Sequence, residues 1–151
     1  MNSNKTQALF LATVAGLLCQ VSVAADAPDA CSLLSTQDAA AALGAEVNAG
    51  ANIGPGACRW NGLGNRSATL RINFSTARSF EIGKTQLTGY TKTPESGIGD
   101  DAYSVVGGGV VTLSVKKGTA FIIIFVQVPN ASPEETKAVE KKVALKLLEK
   151  L

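Results

Sequence analysis

Six consecutive apolar residues in the C-terminal third of the chain, Phe121-Ile122-Ile123-Ile124-Phe125-Val126, constrain the fold most strongly. They lie within residues 119–128, which are rich in β-branched and aromatic side chains and predict a strand. Successive side chains of a strand point to opposite faces, so both faces of this strand are apolar. Such a strand lies in the middle of a sheet, with helices, loops or a second chain covering each face. The run is therefore also the one sequence-level hint of a partner surface.

The patterns around this strand predict the rest of an α+β domain. Capping boxes that begin at Ser35 and Ser132 predict two helices, of which Gly44 ends the first and the second closes over the sheet at the C-terminus. The strict polarity alternation of residues 68–75 predicts a strand with one buried face. Further predictions are strands at 57–60, 102–106 and 110–116, a brief strand near 46–48, a helix from 76 to about 90, and loops before Gly56 and at 92–99. Together they predict a mainly antiparallel sheet of about five or six strands with helices packed on it.

The N-terminus has the pattern of a cleavable secretory signal. Lys5 precedes an apolar run at residues 8–18, and the small residues that follow permit cleavage after Ala24 or after Ala25. The apolar run is about half the length that a membrane span needs. Acylation of Cys19 is an alternative route to the envelope, and the bulky residue before this cysteine argues against it.

This pattern divides the chain and predicts its location. We expect a signal peptide at 1–25, a flexible leader at 26–30 and a single α+β domain at 31–151. The mature protein would then be exported, either periplasmic or secreted, without a stable membrane span. Export leads to an oxidising compartment, where two remaining cysteines most often pair. We therefore predict a Cys31–Cys58 disulfide, since the alternatives, a redox pair or a metal site, lack the C-x-x-C spacing.

Composition excludes several classes of chemistry. The chain has no histidine, which excludes Ser-His and Cys-His catalysis as well as histidine-ligated metals. The formal charge of +2 falls to +1 with removal of Lys5. A net charge this small does not indicate binding to nucleic acid. No complete catalytic or nucleotide-binding motif is present, so we predict neither an enzyme nor a cofactor. Asp100 and Asp101 are adjacent carboxylates outside the predicted helices and are predicted as a polar turn or as contributors to a ligand site.

Three short motifs resemble those of an uncharacterised family of small bacterial secreted proteins and lipoproteins. They are Cys31-Ser-Leu-Leu at a helix start, Cys58-Arg-Trp60, and Gly97-Ile-Gly-Asp-Asp-Ala102 before a hairpin and a terminal helix. The resemblance implies a bacterial envelope location and an α+β fold, and it brings no activity. This chain departs from the family by lacking a clean lipoprotein signal.

Two hypotheses about function follow. The first is a non-catalytic exported module that binds a protein, as an inhibitor, an immunity factor or an envelope adaptor, or that associates with itself. The second is a carrier of a small apolar ligand held between the sheet and the helices. Both rest on the surplus of apolar surface in the doubly apolar strand.

Overall fold

The computed structural model describes residues 28–64 and 68–151, which form one seven-stranded sheet and three helices. The helices are α1 (Thr36–Leu43), α2 (Ala77–Thr85) and α3 (Pro133–Leu148). The strands are β1 (Ala51–Gly54), β2 (Ala57–Asn61), β3 (Thr69–Phe74), β4 (Thr91–Pro94), β5 (Asp101–Gly107), β6 (Val110–Lys117) and β7 (Ala120–Gln127). This confirms the predicted α+β class, with more strands than expected. The predicted signal peptide lies outside the described residues.

The sheet has the strand order β1-β2-β3-β7-β6-β5-β4, and every neighbouring pair is antiparallel. The doubly apolar strand β7 occupies the middle position, between β3 and β6, as its pattern predicts. β5, β6 and β7 follow one another as a meander, and β3 completes the pairing of β7 on its other side.

One face of the sheet, the core face, is covered by α1 and α3. Its largest fully buried apolar side chains come from the strands: Trp60, Leu70, Ile72, Leu113, Val115, Ile122, Ile124 and Val126. The helices add Ala39 and Leu43 from α1, and Val143, Ala144 and Leu147 from α3. Each fully buried leucine or isoleucine contributes about 1.5–3 kcal/mol, so this layer supplies most of the stability of the domain.

The helix starts agree with the predicted capping boxes. The Ser35 side chain accepts a hydrogen bond from the backbone N–H of Asp38, and the Asp38 carboxylate accepts one from the backbone N–H of Ser35. Ser132 and Glu135 repeat the same exchange at the start of α3. Gly44 ends α1 in the left-handed region at φ 64°, a conformation that glycine adopts without steric cost.

Two ion pairs fasten α3 to its neighbours. Lys146 donates to the Asp38 carboxylate of α1, and this bond, together with Ser35, lowers the pKa of Asp38 to about 2. Lys141 lies 2.5 Å from Glu95, which also accepts a hydrogen bond from the Ser104 hydroxyl of β5. Burial opposes the ionisation of Glu95, but these two hydrogen bonds outweigh it and lower its pKa.

α2 packs against the opposite face of the sheet. The Phe80 ring lies 5.0 Å from that of Tyr103 and 5.5 Å from that of Phe121, and the Tyr103 hydroxyl donates to the Phe80 carbonyl at 2.9 Å. Gly83 sits directly over the Tyr103 hydroxyl, where a Cβ atom would collide with it. This contact explains a glycine inside a helix, where glycine otherwise costs about 1 kcal/mol relative to alanine.

Four parts of the fold differ from the predictions. Residues 92–99 were expected to form a loop, but β4 pairs with β5 there as an edge strand, where Pro94 is tolerated because its missing N–H leaves no partner strand unsatisfied. The expected loop before Gly56 contains β1, whereas the expected strand near 46–48 is a single bridge between Val47 and Gly62. α2 ends at Thr85 rather than near residue 90.

The disulfide joins Cys31 to Cys58 with 5.1 Å between their Cα atoms, as predicted. It ties the segment before α1 to β2, and Cys58 is completely buried. Gly50 lies against this bond, since a Cβ atom there would come within 2.9 Å of the Cys58 sulfur. Ala30, within the predicted leader, is 1% exposed and belongs to the core cluster, so the packed domain includes this residue.

Candidate functional site

The face of the sheet that carries α2 remains partly exposed on the central strand. Ile123 and Phe125 are only half-buried there, although Ile122, Ile124 and Val126, which alternate with them, are at most 2% exposed on the core face. The register places Asn73 and Arg71 of β3 directly opposite Ile123 and Phe125, and Arg59 of β2 opposite Arg71. We call the surface formed by Arg59, Arg71, Asn73, Ile123 and Phe125 the open face.

Two arginines dominate the charge of the open face. The Arg71 guanidinium lies over the Phe125 ring, 5.3 Å from its centroid. Arg59 and Arg71 are both exposed, and directly opposite residues of antiparallel strands have Cβ atoms about 5 Å apart. The four ion pairs found among the described residues involve neither arginine. The open face therefore presents two positive charges without a carboxylate partner in the described part of the chain.

A polar hollow of about 540 Å³ lies beside Arg59. Its lining includes Asn48 and Asn61, which offer amide groups, and Leu63, which is 49% exposed. Asn61 accepts a hydrogen bond from the Thr69 hydroxyl at 3.3 Å, so its side-chain oxygen is held toward β3. The hollow extends the open face past the end of β2.

Glu140 of α3 is buried where β6 and β7 separate. The β6–β7 ladder ends at the pair Thr112–Phe125, although both strands continue beyond it. The backbone N–H of Val126, the next residue of β7, donates instead to Oε1 of Glu140 at 3.2 Å. The carboxyl group thus supplies an acceptor that the neighbouring strand does not provide.

The second oxygen of Glu140 has no hydrogen-bond partner among the described residues. The side chain is 0% exposed, and burial raises its pKa to about 8, against the smaller lowering by the Val126 N–H and by Lys137. Removing a carboxylate from water without full compensation disfavours its charged form. Burial therefore favours the neutral form of Glu140 at pH 7, and the other buried polar side chains, Ser104, Ser114 and Thr136, carry only hydroxyl groups.

A cavity of about 390 Å³, the fork cavity, opens where β6 and β7 separate. Its walls are mainly apolar and come from the start of β6, the end of β7 and the beginning of α3. Val110, Val111 and Phe125 line it on the strand side, and Pro133 and Thr136 line it on the helix side. Its size falls in the lower part of the range of small-molecule sites, about 300–1,000 Å³.

Each of the adjacent aspartates has a partner in another segment of the chain. Asp100 accepts a hydrogen bond from the Gly118 backbone N–H at 2.6 Å and lies 3.9 Å from Lys117, which places it at the β6–β7 hairpin. Asp101 begins β5 and pairs with Lys84 of α2 at 2.5 Å. The two carboxylates therefore diverge, one toward a turn and the other toward a helix, and they do not converge on one ligand position.

Two properties of the described residues bear on metal and membrane binding. Among residues 28–64 and 68–151, no three acidic or cysteine side chains gather as metal ligands would. Within the same residues, none of the helices combines the length and the apolar character that a membrane crossing requires.

No protein-family model, no curated protein and no solved structure matches this chain.

Two features of the site escape sequence reasoning. Arg59 and Arg71 each lie on a predicted strand, but only the β2–β3 register places them opposite one another. Glu140 interrupts the apolar stripe of the predicted C-terminal helix, which is the only sequence signal of an unusual position. Its burial depends on the separation of β6 and β7, which no local pattern encodes.

Proposed function

We propose that this chain is an exported, non-catalytic module that binds a partner protein through the open face, as an inhibitor, an immunity factor or an adaptor of the bacterial envelope. The observation that carries this proposal is the incomplete cover of the central strand. Ile123 and Phe125 remain half-buried beside two exposed arginines, while the core face is closed by two helices. Apolar side chains ringed by arginine and amide groups are typical of protein interfaces.

Export is supported by the signal pattern at residues 1–25 and by the Cys31–Cys58 disulfide, because disulfides persist mainly in oxidising compartments. The resemblance to small bacterial secreted proteins points to the same envelope location. A non-catalytic role is supported by the absence of histidine from the whole sequence. It is also supported by the two adjacent aspartates: Asp100 accepts a hydrogen bond from the Gly118 N–H, and Asp101 pairs with Lys84.

A photoreactive phenylalanine analogue at position 125, expressed with the native signal, tests the proposal in the cell envelope. Illumination is expected to give a discrete cross-linked species, because the Phe125 ring would lie within the interface. The same analogue at position 145 is the matched control, since Leu145 is 49% exposed on α3, which covers the core face. Gel electrophoresis and mass spectrometry of the adducts identify the partner or a second copy of the chain.

Two outcomes contradict the proposal. One is the absence of any discrete adduct at position 125 when the protein is folded and present in the envelope. The other is the same set of adducts at positions 125 and 145, which indicates collision rather than a specific interface.

A carrier of a small apolar ligand is a second candidate, and the fork cavity favours it. The cavity has mainly apolar walls and about 390 Å³ of space, and Val110 at its border is 43% exposed. A ligand of this kind would lie between the ends of β6 and β7 and the start of α3.

Native mass spectrometry of protein purified from the envelope tests this candidate. We expect a small, discrete adduct on the wild-type protein that disappears in Val110→Trp, whose indole would occupy the cavity mouth. Ile53→Trp is the control, because Ile53 is similarly exposed, at 39%, on the distant edge strand β1. A wild-type protein without any adduct, or an adduct that persists in Val110→Trp, argues against a carrier.

A further inference from the structure

The β2–β3 register places two positive charges in opposition on the open face. Arg59 and Arg71 are cross-strand partners, and like charges at directly opposite positions destabilise a sheet. Arginine stays protonated at every physiological pH, so the repulsion cannot be relieved by loss of a proton. No ion pair relieves this repulsion within the described residues, because the four ion pairs found there are all formed by lysines in other parts of the domain.

The two arginine side chains stand on the same face of the sheet, and each has hydrogen-bond donors to offer an anion. The Arg71 guanidinium lies 5.3 Å from the centroid of the Phe125 ring, a cation–π contact that leaves its N–H groups able to donate to an anion. Arg59 lies beside the amide groups of Asn48 and Asn61 in the polar hollow. An anion between the arginines would receive charge-assisted hydrogen bonds from both and would cancel their repulsion.

We propose that Arg59 and Arg71 form a clamp for a carboxylate side chain in an acidic segment of a partner protein, with apolar neighbours of that carboxylate packing on Ile123 and Phe125. This inference rests on the proposed function and specifies the chemistry of its partner. The segment would run across β3 and β7 and would place an aspartate or glutamate over β2 and β3.

The surroundings favour a protein carboxylate over other anions. The next cross-strand positions on the same face carry no charge: Asn61 lies opposite Thr69, and Thr69 lies opposite Gln127. Nucleic-acid sites neutralise several phosphates with a basic stripe, and anionic membranes attract clusters of about four to eight lysines or arginines. Two arginines bordered by apolar and amide side chains match a single carboxylate in an otherwise apolar segment.

Selection of a displayed random-peptide library against the full-length mature protein tests the clamp. The wild-type protein is expected to enrich peptides in which aspartate or glutamate lies next to a large apolar residue. The double variant Arg59→Gln/Arg71→Gln is expected to lose that enrichment and to bind the selected peptides at least tenfold more weakly. Arg78→Gln, which removes one arginine from the exposed surface of α2, is expected to retain it.

Melting curves give an independent readout that does not depend on a ligand. At low ionic strength, Arg59→Gln is expected to raise the melting temperature, because it removes the cross-strand repulsion. This gain is expected to vanish at high salt, where charges at the surface are screened. Arg78→Gln is expected to show no comparable salt-dependent gain.

Three outcomes of the binding measurements overturn the clamp. The first is selected peptides without acidic enrichment, and the second is enrichment that persists against the double variant. The third is tighter arginine-dependent binding of inorganic phosphate or of anionic lipid vesicles than of the selected peptides. If position 125 still forms its specific adduct in the double variant, the proposed function stands and the clamp fails; loss of every adduct from the wild type removes the proposed function itself.

Discussion

Replacing both Cys31 and Cys58 with alanine is expected to lower the free energy of unfolding by about 3.5 kcal/mol. The bond spans 27 positions of sequence, and closing a loop of this length restricts the unfolded chain by that amount in the chain-entropy account. The loss is a large part of the 5–15 kcal/mol that is typical of a small domain. Urea denaturation of the mature protein, followed by circular dichroism, measures it.

Reduction of the wild-type protein is the matched control for this substitution. It should reproduce most of the loss without changing any side chain other than the two cysteines. Alanine is preferred to serine at position 58, because a hydroxyl at a completely buried site would add a desolvation cost of its own. Equal midpoints for the oxidised wild type and the double variant would show that the bond contributes nothing.

Local patterns were sufficient to predict the middle of the fold. The run Phe121–Val126 is apolar on both faces and therefore forms the central strand of the sheet. The alternating residues 68–75 form the neighbouring strand β3. Ser35 and Ser132 mark helix starts because their hydroxyls satisfy backbone N–H groups that a helix leaves free. In each case the signal and the interaction lie within a few residues of each other.

The sheet edges were not predictable in this way. β4 has the sequence Thr-Lys-Thr-Pro, without apolar alternation, and it becomes a strand only because β5 offers a free edge. β1 likewise consists of four residues that are exposed or partly exposed and pair with β2 across a bulge. Pairing of this kind depends on a distant strand that is already in place, so the sequence predicted fewer strands than the sheet contains.

The candidate site depends on register to an even greater degree. A shift of one residue between β2 and β3 would move one arginine of the pair to the core face, because neighbouring side chains alternate between faces. Arg59 and Arg71 meet only because Cys58 and Trp60 on one strand, and Leu70 and Ile72 on the other, must all be buried. Packing on the core face therefore determines the charge arrangement on the open face.

Glu140→Gln is expected to stabilise the protein by about 3 kcal/mol at pH 7 and to leave its stability nearly unchanged near pH 4.5. Burial raises the pKa of Glu140 from 4.5 to about 8, so the folded state binds a proton that the unfolded state releases. Stability therefore falls as pH rises between these two values, by about 1.4 kcal/mol per pH unit. Glutamine keeps an acceptor for the Val126 N–H and has no proton to release.

Measurements of the unfolding free energy from pH 4.5 to pH 8 test both the direction and the size of the predicted difference between the wild type and Glu140→Gln. Glu135→Gln on the same helix is the control, because hydrogen bonds from Ser132 lower the pKa of Glu135. The contribution of a lowered pKa is complete above the unfolded-state value of 4.5, so that variant should be less stable than the wild type by a nearly constant amount across this range. A difference between wild type and Glu140→Gln that does not change from pH 4.5 to pH 8 would mean that Glu140 reaches solvent and that β6 and β7 do not enclose it.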